Sequence, residues 1–444
     1  MDRLTCQIVN TVSFRTHPEV LVPTLAKPGY SELNVSSRAF WSATAEEREV
    51  VFKQLRDHEP VSWQRPPEES MMPPQEGAGC WAVTRHEDIM TVSREAGRFC
   101  SGQGTSFDDI PIDILRRWTS FLAMDAPEHT RVRGAVKNVF TPRQVTKIEH
   151  VMQEQSRLIV EDLIEQGSGC DFVENVAVRL PLWISSEMMG VPESERPGLV
   201  RASNTMIGRH DEGYSHSDET DPGVALIRAL EHMESVGRSL ARYRAEHPAD
   251  DLMTRLVQAQ DDEGNRLSED EIVSAFCVLT VAGNDTTRNS TSATLKALTD
   301  FPDQKRLLLD DFEACQKTAM DELFRWATPI PTMRRTATLD TRLGDAEIAE
   351  GDKVIMFYVS GNWDEQVFDH PERLDLMRSP NRHVAFGGAG PHYCIGSNLG
   401  KVTLRSILRE LLTRLPDIEA GEPRYLASCI VQGIVHMPCT FTVP

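Results

Sequence analysis

The chain has 444 residues, 40% of them hydrophobic and 26% charged, the balance of a globular protein and not of a disordered, collagenous or coiled-coil chain. At this length it can bury a large core without disulfide staples. Its 47 Lys and Arg face 67 Asp and Glu, a formal net charge of −20 that argues against global nucleic-acid binding. Nine cysteines stand at 6, 80, 100, 170, 277, 315, 394, 429 and 439. None lies within five residues of another, so they form neither a disulfide framework nor a C-x-x-C site, and they suit a reducing cytoplasm. The first twenty residues lack the basic region and apolar run of a signal peptide. No apolar stretch approaches the roughly 18 residues that suggest a membrane span. The reading is a cytoplasmic protein with no membrane anchor.

No repeat or low-complexity linker divides the chain, which reads as a single domain over 1–444. Residues 1–30, with Pro18, Pro23 and Pro28, are expected to be irregular. Strand-like runs follow at Val61–Gln64 and Cys80–Thr84. From about 127 to 327 the pattern predicts helices, for example Thr141–Glu165, Val224–Ala245 and Ser268–Thr299. The Asp- and Ser-rich stretch between His210 and Pro222 reads as a mobile loop between two helices. From about 334 to 395 the Pro, Gly, Asp and Asn content predicts strands, turns and loops. A last long helix is expected from Gly396 or Ser397 to about Arg414, before a short β-rich tail. The fold class is therefore mainly α with a smaller β region.

Within Ser268–Thr299, Ser268 and Glu271 make a capping box, and Leu267 with Ile272 can make its hydrophobic staple. The run Ile272, Val273, Ala275, Phe276, Leu279, Val281 is apolar nearly all round, as in a buried helix. Gly283-Asn284-Asp285-Thr286-Thr287 then interrupts it. Glycine costs about 1 kcal/mol in a helix interior relative to alanine, and a carboxylate and two hydroxyls follow. One reading is a kink or an accidental polar face. The other is a ligand passing close to the backbone beside a proton-handling pair, Asp285 and Thr286.

The most informative stretch is F-G-G-A-G-P-H-Y-C-I-G, from Phe386 to Gly396. A buried cysteine is ordinarily an inert small hydrophobe. Cys394, however, lies in a glycine-rich loop immediately before a helix, whose N-terminal N–H groups stabilise negative charge and lower a thiol pKa. The glycines let a flat, bulky cofactor approach the main chain. One thiolate without a Cys or His partner at zinc spacing points to a single axial ligand, and haem iron is the best-known case. Gly388-Ala-Gly390-Pro-His-Tyr lacks the third glycine and the βα setting of a dinucleotide fingerprint. Neither G-x-S-x-G nor H-E-x-x-H occurs.

With three further motifs this segment makes the chain resemble the cytochrome P450 family of haem-thiolate monooxygenases, from about residue 35 to the C-terminus. The family's F-G-x-G-x-H-x-C-x-G matches Phe386 to Gly396 with one extra residue between Phe386 and Gly390, a form found in some bacterial steroid and branched-lipid hydroxylases. Glu322-Leu-Phe-Arg325 resembles E-x-x-R, a structural pair that Arg373 is expected to join. Asp125-Ala-Pro-Glu-His129-Thr-Arg-Val-Arg133 resembles D-x-P-x-H-x-x-x-R. Ala282-Gly283-Asn284-Asp285-Thr286-Thr287 resembles A-G-x-[DE]-T-T.

The resemblance implies the cytochrome P450 fold, with a long central helix over haem b (iron protoporphyrin IX), and Cys394 as the iron ligand. His129, Arg133, Ala282, Gly283, Arg335, Phe386, Gly388, His392 and Gly396 would contact the cofactor, with Arg334 competing with Arg335 for a propionate. Thr286 would hydrogen-bond bound oxygen or a water, and Asp285 would relay protons from solvent. By family position the substrate wall includes Leu122, Leu279, Ile330, Met333 and Val431, drawn from the loop Phe107–Leu122, the helix around Met206, the central helix, Ile330–Met333 and the tail. That wall suits a fatty acid or branched lipid, a terpenoid or a steroid. Dioxygen is the co-substrate. Electrons are expected from a ferredoxin and an NAD(P)H-dependent ferredoxin reductase. Lys137, Arg143, Arg382, Lys401 and Arg405 are either a basic dock for the ferredoxin or ordinary solvated charges. A natural-product oxidase, a peroxide-driven enzyme and a haem sensor or carrier are the alternatives; the Asp285–Thr286 pair argues against the last two.

Overall fold

The computed structural model describes residues 27–443 apart from 69, 73–76, 138–141, 209–210, 216–217 and 262. Most of the expected irregular start, Thr141, the Arg143 side chain and His210 lie outside the described residues.

Helix α1 (Ala45–His58) begins with a capping box in which the Thr44 side chain accepts from the Glu47 N–H and Glu47 accepts from the Thr44 N–H. Strands β1 (Val61–Gln64) and β2 (Cys80–Val83) form where the strand-like runs lie and pair antiparallel, and helix α2 (His86–Arg94) follows. The strand β3 (Phe99–Cys100), β4 (Thr332–Ala337), a hairpin of β5 (Thr341–Leu343) and β6 (Ala346–Ile348), and β7 (Lys353–Phe357) complete the β region before the tail. One five-stranded sheet runs in the order β1-β2-β7-β4-β3, with β2 and β7 parallel.

The helical side holds α3 (Ile112–Thr119), α4 (Glu128–Lys137), α5 (Pro142–Gln166), α6 (Arg179–Met189), α7 (Arg196–Gly208), α8 (Pro222–Glu246), α9 (Glu269–Asp300), α10 (Phe312–Ala327) and α11 (Ser397–Arg414). The central helix α9 packs against α3, α6, α8, α10 and α11. Its capping box forms as expected, and Leu267 and Ile272 are buried in one apolar cluster. The polar interruption does not break it. The hydroxyls of Thr280, Thr286, Ser290, Thr291 and Ser292 each donate to a carbonyl four residues back, which satisfies them inside the protein.

Two expected loops contain helix. Phe107–Leu122 carries α3 and a 3-10 turn, Ser120–Ala123. The polar stretch after α7 contains the helical turn Glu212–Ser215, which buries Tyr214 completely. No helix among the described residues is long and apolar enough to cross a membrane.

Candidate active site

A cavity of about 310 Å³ lies between α9 and the segment Phe386–Thr403. Its α9 wall includes Ala282, Gly283 and Thr286, and the facing wall includes Phe386, Gly387, Cys394, Ile395 and Gly396. The cysteine loop is closed by the Cys394 N–H donating to the Phe386 carbonyl at 3.0 Å. It is anchored by the Ser93 hydroxyl, which lies 2.5 and 2.8 Å from the Gly388 and Ala389 carbonyls. Gly390 has φ +115°, and a Cβ there would sit 2.4 Å from the Ser93 carbonyl oxygen, so only glycine fits. Gly388 packs on Ser93 and Met90 behind the wall, and Gly387 takes the lining position expected of Gly388. The Phe386 ring lies 4.6 Å from Phe324 and packs with Tyr393.

Cys394 opens onto the cavity. Desolvation in the protein scaffold pushes its thiol pKa up, while the Gly396 N–H and the Arg133 guanidinium both favour the thiolate. The helix-terminal donor is there as the sequence implies; desolvation outweighs it.

One edge of the cavity gathers cationic and donor groups. His129 and Arg133 share a face of α4. The His129 ring lies 4.2 Å from that of His392, which bonds the Ser101 hydroxyl through Nε2 at 3.1 Å. His129 Nε2 and His392 Nδ1 are buried without a hydrogen-bond partner among the described residues. Arg133 donates to the Tyr393 carbonyl. Arg335 is buried in the wall, donates to the Arg334 carbonyl at 2.7 Å, and has no carboxylate partner among the described residues. Arg334 turns to Asp109 at 3.2 Å and does not line the cavity. Burial, then Arg133, lowers the His129 pKa to about 4; burial, then Arg335, also lowers that of His392. Burial lowers the pKa of Arg133 and Arg335 themselves.

On α9 the Thr286 hydroxyl donates to the Ala282 carbonyl at 2.7 Å. Asp285 is only 2% exposed and borders the cavity. Its Oδ2 accepts from Ser203 at 2.7 Å and its Oδ1 from Tyr214 at 2.9 Å, while burial raises its pKa. Sequence reasoning missed both partners. The one signal was Tyr214, the single aromatic residue in an otherwise polar stretch.

Leu122, Leu279, Ile330, Met333 and Val431 all line the cavity. The helix around Met206 contributes Ile207 to the wall, while Met206 itself is fully buried in the helical core. Trp118, from the expected segment Phe107–Leu122, lines it too, and Ile184, Met188 and Val278 join from positions not expected.

Beside the site, Glu322 and Arg325 form a fork of two 2.8 Å bonds, both side chains 0% exposed. The guanidinium that joins them is that of Arg378, at 3.1 Å, and not Arg373. The Arg373 side chain is 70% exposed and contributes only its carbonyl, because the chain turns back to Glu322 after it, at Asp375–Asn381. Lys401 and Arg405 of the expected dock are paired with Asp321 and Glu149.

Residues 316–416 match the family model described as Cytochrome P450. The chain is 37% identical over 399 residues to the steroid C26-monooxygenase of Mycolicibacterium smegmatis, covering 88% of this chain and 89% of that one. It is 33% identical over 415 residues to the methyl-branched lipid omega-hydroxylase of Mycobacterium tuberculosis, covering 93% and 95%. Among solved structures, a Mycobacterium marinum cytochrome P450 in complex with pseudoionone is 46% identical, with a TM-score of 0.90, covering 94% of this chain and 100% of that one. A cysteine facing the central helix across a buried cavity, in a chain with this likeness along most of its length, identifies it as a member of the cytochrome P450 family of monooxygenases.

Proposed function

We propose that the cavity binds haem b, whose iron the Cys394 thiolate would hold, and that the enzyme hydroxylates a C–H bond of a hydrophobic lipid, terpenoid or steroid. The observation that carries this reading is the donor edge. Buried His129 and Arg335 and half-buried His392 and Arg133 converge without an acidic hydrogen-bond partner among the described residues, an arrangement that the two carboxylates of a haem would complete. No C-x-x-C-H attachment sequence exists, which favours the non-covalent b form. When bound, a thiolate-ligated haem supplies reductive activation of O2 and transfer of one oxygen atom.

The chain's own residues supply the setting. Gly396 N–H and Arg133 stabilise negative charge on the Cys394 sulfur. Ala282 and Gly283 keep the opposite wall thin; a Cβ on Gly283 would meet nothing closer than Ser185 at 3.9 Å. Thr286 presents its hydroxyl oxygen at the cavity, and Asp285, one residue back, carries a carboxyl whose proton affinity burial raises. The aliphatic wall excludes water and positions an apolar substrate.

Electrons come from outside the chain, which carries no flavin or nicotinamide fingerprint. A ferredoxin served by an NAD(P)H-dependent reductase fits, with Lys137 and Arg382 as exposed cations for it. The eight described cysteines are free thiols, which fits the reducing cytoplasm. The steroid and branched-lipid activities named for the relatives, and the pseudoionone held by the structural neighbour, agree with the aliphatic lining. The test is a pyridine haemochrome assay followed by titration of the ferric enzyme with fatty acids, terpenoids and sterols. A b-type haemochrome and a low-to-high-spin shift with one of those classes are expected. A spin shift only with large polyketide-type ligands would move the substrate assignment to a natural product.

A further inference from the structure

We propose that Tyr214 is a positioning residue for proton delivery: its phenol, together with the Ser203 hydroxyl, clamps the Asp285 carboxyl between α7 and α9. The inference rests on Asp285 being the acid of the acid–alcohol pair.

Both carboxylate oxygens are engaged, and by elements other than the helix that carries them. Ser203 on α7 donates to Oδ2 at 2.7 Å, and Tyr214 on the Glu212–Ser215 turn donates to Oδ1 at 2.9 Å. The tyrosine seat is built to hold that ring. A Cβ on Gly208, the last residue of α7, would lie 2.4 Å from the Tyr214 ring, so glycine is required for the ring to reach Asp285. The Arg288 guanidinium lies over the other part of the ring, 4.5 Å from its centroid. The Asn289 amide donates to the Asp285 carbonyl at 2.8 Å and lies 3.5 Å from the phenol oxygen. The turn is fixed by Asp211, which accepts from the Tyr214 N–H and pairs with Arg424.

Among the described residues, the charged or titratable groups that face Asp285 are Arg288 from α9 and Tyr214 from the turn; α7 contributes the uncharged Ser203. Two hydroxyl donors favour the ionised carboxyl, and burial opposes them. The clamp therefore does two things at once. It fixes which way the carboxyl points, and it holds down a proton affinity that burial alone would raise further. Removing the phenol hydroxyl leaves Asp285 buried with one donor fewer and free to turn.

The experiment uses the holoenzyme and its Tyr214→Phe, Ser203→Ala and Asp285→Asn variants. Difference infrared spectroscopy between acid and neutral pH reads the Asp285 carboxyl directly, as the band missing from Asp285→Asn. Product formed and peroxide released per NAD(P)H are measured across the same pH range. Tyr214→Phe is expected to keep the wild-type ferrous–CO band and substrate-induced spin shift. Its carboxyl titration should move up by about one pH unit, the size of one lost hydrogen bond to a charged group. The coupling profile should move the same way, with several-fold more peroxide at neutral pH. Ser203→Ala should shift in the same direction, and it stands in if Tyr214→Phe does not fold. An unshifted carboxyl band with wild-type coupling overturns the clamp, as does a Tyr214→Phe whose only change is in KM or thermal stability. The acid assignment fails separately, when Asp285→Asn couples electrons to product like the wild type at every pH.

Discussion

The Thr286 hydroxyl lies 2.7 Å from the Ala282 carbonyl, one turn back on the central helix, at the wall that faces Cys394. This bond commits the hydroxyl proton to the helix and leaves the oxygen at the cavity wall, where it can accept a hydrogen bond without disturbing the helix. Thr286→Ala is expected to fold, bind haem and bind substrate as the wild type does. It should divert most electrons to peroxide, measured as product against NAD(P)H consumed, whereas Thr286→Ser should retain coupling. Wild-type coupling in Thr286→Ala would remove the assigned role.

Glu322 makes a stability prediction. Burial would raise its pKa, but Arg325 and Arg378 hold it below the usual carboxylate value. Glu322→Gln leaves two buried guanidinium groups without their counter-charge, a change that costs about 3–5 kcal/mol. Urea unfolding should show that loss, and haem content should fall with it. A group whose folded pKa is depressed stabilises the protein above its unfolded pKa of about 4.3. That contribution is lost as pH falls through the folded value. The acid limb of the stability curve below about pH 4.3 should therefore flatten in Glu322→Gln.

Neighbouring arginines should separate cleanly. Arg335 faces the cavity without a carboxylate among the described residues, and Arg334 is held by Asp109. Arg335→Gln should speed haem transfer to a scavenger globin by about tenfold or more, the worth of a charge-assisted hydrogen bond. Arg334→Gln should change thermal stability but not haem loss. Equal haem loss in both variants would contradict the division of roles.

The pocket prediction concerns Leu279, on the α9 wall. Leu279→Trp overfills a packed apolar site, which costs roughly 1–3 kcal/mol, about tenfold or more in affinity. Spin-state titration with the best lipid ligand should weaken accordingly, while the ferrous–CO spectrum stays as in the wild type. Unchanged lipid affinity would place the substrate elsewhere.

What the sequence made legible was local. The capping box of α9, the start of α11 beside Cys394 and the shared face of His129 and Arg133 depend on spacings of a few residues, and the protein realises them. What it hid depends on contacts distant in sequence. Tyr214 and Asp285 are 71 residues apart, and nothing in a polar stretch says that its one aromatic ring turns inward. Which residue of the helix around Met206 reaches the wall, Ile207, depends on the rotation of about 100° per residue that tertiary packing sets. Arg378 replaces Arg373 because a turn, and not proximity in sequence, returns the guanidinium to Glu322. The direction of the Cys394 pKa likewise needed the tertiary structure, since the helix terminus is local and the desolvation that outweighs it is not.

The most direct measurement is the ferrous–CO difference spectrum of the haem-loaded protein beside that of Cys394→Ser. The account predicts a thiolate-type Soret band in the wild type that disappears in the variant while haem remains bound. A haem-loaded wild type without that band, or a Cys394→Ser that keeps it, would contradict the assignment of Cys394 as the axial ligand.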